Sequence, residues 1–575
     1  MLKNIQKTKL ITYKKMRPFN HNYFLGYVNE VTPQYIKIHF PSSVLLGKFH
    51  FEGVNYAGGN VGNFIVIEGE EYGFLAQLTE LKLSDSEKKE LTEKAIEHKE
   101  SDFHPIGKAE LLLSFSVFNP EKIEKTVSRY PSIGAKVYSC SDEQIGKYVK
   151  EFGKKNTDSD NVYAKLGKLT SNEADCYISL NSLFGRHCAV VGTTGGGKSW
   201  TVSKLIESIT TQTDNKVILI DATGEYHTLN SKTFILGTDS YFPYQKLSIS
   251  DLFYLLRPTG QSQRPVLLDA IRSLKIMRLN SKSGSCPKSD KPKQKYNETY
   301  QAHIKEIEDN TCNFDINYLV AQIKEECVYP TGYTDKQQDV TKWGGYDAKT
   351  YDYQTSLISR ITDLLNTDIF NGLLGFNNIP ANYSSIVDGI ESFLTSNDDN
   401  ILRISFEDIP SSFSAKEIVS NALASYLLNK ARKRNFIEDP VALVIDEAHQ
   451  FLNKNVRDEF FEIQSLDAFD LIAKECRKYG LFLCLATQMP RDIPIGTLSQ
   501  MGTFIVHRLI NEKDKQSIEN AASSANKNAL SFLPILGEGE ALLIGVDFPM
   551  PLLIKIDKPI TPPKSETPRV KAKNK

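Results

Sequence analysis

Apolar positions follow two different rhythms along this chain. Between residues 24 and 113 they partly alternate with polar ones over short runs, at 27–31, 35–40, 64–67 and 73–78, with a further run at 110–117. β-Branched and aromatic residues are frequent in these runs. Thr32-Pro33, Gly58-Gly59 and Gly62 punctuate them, so the stretch is predicted to form short strands of a small β-barrel. Residues 84–99 are highly charged and read as a helix or an excursion from the barrel. Residues 141–164 are polar and read as a connector.

Past residue 165 the rhythm changes. Short apolar runs at 188–191, 217–220, 402–406, 441–445 and 481–486 alternate with segments of helical period. Val202, Leu205, Ile206 and Ile209 recur at i, i+3, i+4 and i+7, one face of a helix. A long helix is expected at 415–434, and another ending near Gly480, a residue suited to the position after a helix. Strand, helix, strand in this order is the opening of an α/β parallel sheet. Residues 251–400 interrupt it with helix-like stretches at 267–279 and 355–365. Between these, 281–295 is rich in Lys, Ser, Gly and Pro; it reads as a solvated loop, with a nucleic-acid contact as the alternative. The expected organisation is a barrel with linker (1–165), an α/β core in two parts (166–250 and 401–560) around a mainly helical insertion (251–400), and an exposed, flexible tail (561–575).

Composition narrows the classes. The chain has 575 residues, 40% hydrophobic and 24% charged, with net charge −1. Several domains are expected at this length, and near-neutrality argues against a protein basic over its whole surface. The eight cysteines show no C-x-x-C pair, as expected for thiols in a reducing cytoplasm. No run approaches the roughly 20 apolar residues a membrane helix needs, and no signal-peptide pattern opens the chain, so no membrane association is expected.

The chemistry concentrates at Gly192-Thr193-Thr194-Gly195-Gly196-Gly197-Lys198-Ser199, which fits G-x-x-x-x-G-K-[ST] between a strand and a helix. The loop's N–H groups curl around phosphates, and the helix N-terminus adds positive potential there. Lys198 is expected to reach the β- and γ-phosphates of ATP, and Ser199 to ligate Mg²⁺. The run at 441–445 closes on Asp446-Glu447, a Walker B pattern: Asp446 for the metal, Glu447 for the attacking water. His449 reads as a packing residue at a helix start. Gln488 closes the next strand and reads either as a contact to the γ-phosphate or its water, or as a surface amide. Arg477 edges an apolar helix face (Phe469, Ile472, Cys476, Tyr479), either as an arginine finger or as a basic residue at a helix end.

Four of these stretches, Gly-Thr-Thr-Gly-Gly-Gly-Lys-Ser (192–199), Ile-Asp-Glu-Ala-His (445–449), Cys-Arg-Lys-Tyr-Gly (476–480) and Ala-Thr-Gln (486–488), resemble the HerA branch of the HerA/FtsK ATPases. Residues 26–41 resemble that family's barrel, and 536–541 its C-terminal strand pair. The implied fold is α/β: a RecA-like P-loop ATPase core with a parallel sheet, an N-terminal small β-barrel and a helical insertion. The resemblance implies a homohexamer that moves double-stranded DNA through a central pore, with nucleotide between subunits. It implies roles near the nucleotide for Arg477, acting across the interface, and for Arg186. It also implies a partner nuclease or other effector docking on the barrel, in some relatives within anti-phage defence. Asp446-Glu447-Ala448-His449 also spells a DEAH box, but such helicases place it soon after the P-loop and use two tandem lobes; neither holds here. A hexameric ATP-switched scaffold that regulates an effector without moving DNA is the alternative function.

Overall fold

The computed structural model describes residues 18–564, apart from 34, 48, 52–53, 57, 89–101, 121–122, 125–128, 152–161, 171–173, 335–336, 378, 411–413, 453–465, 523–526 and 547. The chain divides into two compact units. One comprises Met1–Leu183, Gly502–Ile510 and Ala522–Asp557, the other Phe184–Met501, Asn511–Ala521 and Lys558–Lys575.

The first unit contains a closed six-stranded antiparallel barrel. Its strands run in the order Ile36–His39, Phe24–Val31, Lys136–Ser139, Phe64–Ile67, Tyr72–Lys82 and Ile106–Ser116, and the last pairs with the first. Alternation places Leu25, Val28, Ile36, Ile38, Phe40, Ile65, Ile67, Phe74 and Leu78 in one core. Fully burying each such side chain stabilises by roughly 1.5–3 kcal/mol. The closing strand Lys136–Ser139 was not anticipated. Within the polar segment expected to be a plain connector, Asp142–Glu151 is a helix whose Tyr148 packs on Phe115 of the barrel, ring centroids 5.6 Å apart. Most of the charged 84–99 stretch lies outside the described residues. The same unit holds an antiparallel set, Thr503–Val506, Glu540–Gly545, Phe548–Ile556, Tyr163–Leu169 and Asp175–Ser179, in that order.

The second unit is a RecA-like core. Six parallel strands run in the order Cys188–Val191, Leu481–Thr487, Val441–Ile445, Lys216–Asp221, Ile401–Ser405 and Lys232–Ile235. Apart from the edge strand Lys232–Ile235, their interior residues are almost wholly buried, which explains the continuous apolar runs. Helix Lys198–Gln212 buries Val202, Leu205, Ile206 and Ile209. Helix Ala415–Arg432 follows the Ile401–Ser405 strand, and Ala468–Glu475 precedes the Leu481–Thr487 strand. Parallel pairing brings the C-terminal ends of these strands to one edge of the sheet, where ligands bind in open α/β sheets.

Between residues 251 and 400 the longest helices are Gln263–Leu279 and Ala348–Asn366, with a small hairpin at Gly332–Thr334 and Gln337–Asp339. The lysine-rich 281–295 stretch is not simply solvated. Lys288 is buried, pairs with Glu326 at 2.5 Å, and lies over the rings of Tyr296 (4.7 Å) and Trp343 (4.9 Å). The expected flexible tail also begins differently. Ile560 N donates to Glu207, Thr228 Oγ1 to the Pro562 carbonyl, and Lys564 N to the Glu225 carbonyl. So 561–564 are held on the second unit, while 565–575 lie outside the described residues. No described helix is long and apolar enough to cross a membrane.

Candidate nucleotide site

The P-loop runs from the end of the Cys188–Val191 strand to helix Lys198–Gln212. Gly192 N donates to the Thr487 carbonyl, and Gly196 N to that of Thr193. Gly197 occupies the helix N-cap at φ 104°, a backbone state that residues with a Cβ rarely adopt, and caps no N–H with a side chain. The first amides of the helix are therefore left for a ligand, in the manner of an anion site.

Three buried charges meet beneath this loop. Lys198 Nζ lies 2.6 Å from Glu447 Oε1 and 3.0 Å from Asp446 Oδ1. The side chains of Lys198, Asp446 and Glu447 are 5%, 0% and 4% exposed. Asp446 follows the last residue of the Val441–Ile445 strand, so the sheet itself delivers it. Glu447 then turns through the left-handed region, at φ 46°. That conformation costs a non-glycine residue of order 1–3 kcal/mol and marks positions where function constrains the chain.

Gln488 extends the cluster. Its Nε2 donates to Glu447 Oε1 at 2.6 Å, and its Oε1 accepts from Thr194 Oγ1 at 2.5 Å. A continuous polar chain thus links the P-loop to Glu447 through Gln488, and the surface-amide reading of Gln488 does not describe it. His449 Nδ1 lies 3.2 Å from Glu447 Oε2 and 3.3 Å from Thr487 Oγ1, so it touches the cluster and does more than pack.

The electrostatics separate the two carboxyls. Burial raises Asp446 to about 6, against the pull of Lys198. Burial also pushes Glu447 up, but His449, Lys198 and Gln488 outweigh it and hold this carboxyl near 2. Burial alone would lower Lys198; its two carboxylate partners reverse that and raise it.

Glu225 was missed by sequence reasoning. It follows Gly224 in the loop after the Lys216–Asp221 strand, and its Oε2 accepts from Ser199 Oγ at 2.8 Å. A lone acid in a loop has no spacing to flag it; its only signal was its place just past a strand end. The residues fit a divalent cation such as Mg²⁺. Asp446 Oδ2 is buried with no partner among the described residues, the buried Tyr226 hydroxyl lies beside Ser199 in the field of Asp446 and Glu225, and Ser199 and Glu225 complete an oxygen-rich set.

The two candidate arginines are placed differently. Arg477 is exposed on the turn Cys476–Tyr479, with no ion pair among the described residues. Arg186 is half-buried next to His187, a buried residue at φ 59° whose Nδ1 accepts from Leu483 N. Burial lowers His187 to about 4, so it is neutral and ties the P-loop strand to its neighbour.

Residues 164–430 match the family described as Helicase HerA, central domain. A probable helicase of Methanocaldococcus jannaschii is 25% identical over 470 residues, 80% of this chain and 77% of that protein. The DNA double-strand break repair helicase HerA of Sulfurisphaera tokodaii is 24% identical over 398 residues, 68% of this chain and 69% of that one. Among solved structures, VirB4 of Thermoanaerobacter pseudethanolicus aligns with 70% of this chain and 97% of its own, at 15% identity and TM-score 0.44. With the P-loop and the Asp446-Glu447 strand end assembled in one core, this chain is a P-loop ATPase, similar to HerA helicases over most of its length.

Proposed function

We propose that this ATPase is a Mg²⁺-dependent, double-stranded DNA translocase that works as a homohexamer with a partner nuclease or other effector on its barrel. The observation that carries the catalytic part is the chain of contacts Thr194–Gln488–Glu447–Lys198–Asp446. The DNA part rests on relatives that are helicases by name. An anti-phage setting is one context for such a motor.

The residues divide the work as follows. The loop from Gly192 to Ser199, shaped by Thr193, Thr194, Gly195, Gly196 and Gly197, holds the ATP phosphates through those of its amides that the Thr487 and Thr193 carbonyls do not take. Lys198 exchanges its carboxylate partners for phosphate oxygens, so a buried cation finds new counter-charge at the step that frees Glu447. Ser199 and Asp446 hold Mg²⁺, which when bound neutralises charge on the phosphates. Glu447, ionised at neutral pH, accepts a proton from the attacking water. Gln488 bridges Glu447 to the P-loop and so senses whether phosphate is present. Arg477, exposed and without an ion pair among the described residues, acts on a neighbouring subunit's ATP; Arg186 supports the nucleotide site from the turn before the P-loop strand.

Linear double-stranded DNA should raise ATP turnover several-fold. Turnover indifferent to DNA, together with tight co-assembly with an effector, would instead establish the ATP-switched scaffold. The shared site has its own test. Arg477→Ala and Lys198→Ala subunits should each be inactive alone and regain activity when mixed before assembly. No recovery in mixed rings verified by native mass would refute action across an interface.

A further inference from the structure

We propose that Glu225 is the positioning residue for the Ser199 hydroxyl, taking its proton so that its lone pairs face the divalent cation. This rests on the reading of Ser199 as a cation ligand. A serine hydroxyl has one proton and two lone pairs, and its rotor is free unless a partner fixes it. Ligation needs a lone pair turned toward the ion. Ser199 Oγ donates to Glu225 Oε2 at 2.8 Å, which sends the proton away from the phosphate side.

Glu225 is itself held from several directions. Asp221 Oδ1 accepts from Gly224 N at 2.9 Å and Asp221 Oδ2 from Tyr226 N at 3.2 Å, so one carboxylate grips the amides on both sides of Glu225. Arg403 Nε fixes that carboxylate at 2.7 Å. Lys564 N donates to the Glu225 carbonyl at 2.9 Å. Gly224 sits at φ 82°, a backbone state that residues with a Cβ rarely adopt, so the turn before Glu225 depends on glycine. A surface acid with no task would not be anchored on both flanks.

Charge points the same way. Lys198 pairs with Asp446 and Glu447, and Glu225, bonded to Ser199, lies in the field of Asp446. When Lys198 turns to phosphate, three carboxyls remain around the position Ser199 and Asp446 define, a surplus suited to a dication. Partners behind metal ligands typically change metal affinity 10–100-fold when removed.

The test uses the full chain with a fluorescent ADP, with Mg²⁺ or with EDTA, and titrates Mn²⁺ into the ADP complex by electron paramagnetic resonance. Glu225→Ala should weaken Mn²⁺ binding about 10–100-fold, while ADP affinity in EDTA stays within about twofold. Glu225→Gln keeps an oxygen that accepts from Ser199, and should recover Mn²⁺ affinity to within about threefold of wild type. Ser199→Ala should resemble Glu225→Ala. Wild-type Mn²⁺ affinity in Glu225→Ala but not in Ser199→Ala would overturn the role of Glu225 alone. A Gln variant no better than the Ala variant would overturn orientation in favour of bare charge. Loss of ADP affinity in EDTA would make Glu225 a support of the loop and overturn the proposal. Wild-type Mn²⁺ affinity in Ser199→Ala would remove Ser199 as a ligand, and the proposal with it.

Discussion

Two buried lysines, Lys198 beneath the P-loop and Lys288 in the 251–400 segment, are about equally hidden, at 5% and 6% side-chain exposure. Both pair with carboxylates, yet their surroundings differ. Lys288 is satisfied on every side: Glu326 takes its charge, Tyr296 and Trp343 present ring faces, and Glu326 also accepts from Ser273 and Gln322. Lys198 shares two carboxyls, one with a buried oxygen lacking any partner, and the second acid sits in a strained left-handed turn. Burial of an ion pair therefore does not mark a site. Leftover polar capacity and stored strain do, because they describe an arrangement ready to exchange partners.

The contrast can be broken by substituting each lysine. Lys198→Ala should reduce ATP turnover about 1,000-fold or more, equivalent to about 4 kcal/mol, in a phosphate-release assay. Turnover within tenfold of wild type would make Lys198 as structural as Lys288. Lys288→Met leaves Glu326 buried without its counter-charge and should cost about 3–5 kcal/mol of stability, measured by denaturant unfolding. Changing both partners, Lys288→Met with Glu326→Leu, should return much of it, since hydrophobic replacement of a whole buried pair is often neutral. ATP turnover per folded molecule should not change in either. The smallest effect belongs to the relay: Gln488→Ala should lower turnover about tenfold, about 1.4 kcal/mol, with ADP affinity within about twofold. A large loss of ADP affinity would instead make Gln488 a binding residue.

The same contrast explains what could be read in advance. The strands at 188–191, 216–221, 441–445 and 481–487 were legible because each is buried on both faces, and so is written as an apolar run ending in a chemical residue. The barrel's closing strand, Lys136–Ser139, was not: four residues with Lys at the head and Ser at the end carry too little alternation. Lys288 was read as solvated because nothing local reveals that Glu326, Tyr296 and Trp343 converge on it from other parts of the chain. Glu225 was passed over for a similar reason: its meaning comes from Ser199, which is 26 positions earlier in sequence and meets it only across the sheet edge. Arg186 came from family resemblance alone, and for Arg477 the sequence left finger and helix-end readings open; its proposed partner, a neighbouring subunit's ATP, lies beyond a single subunit's contacts.

The central claim is that Lys198, Asp446 and Glu447 form one ATP-hydrolysing unit. It is tested most directly by comparing wild type with Glu447→Gln for ATP turnover and nucleotide retention, in Mg²⁺ with linear double-stranded DNA. The amide preserves size and the contact to Lys198 but cannot accept the water's proton. Turnover should fall about 100-fold or more while bound ATP is retained at wild-type occupancy or above. Equal turnover by the two proteins, both free of contaminating ATPase, would contradict the assignment of this cluster as the hydrolytic site.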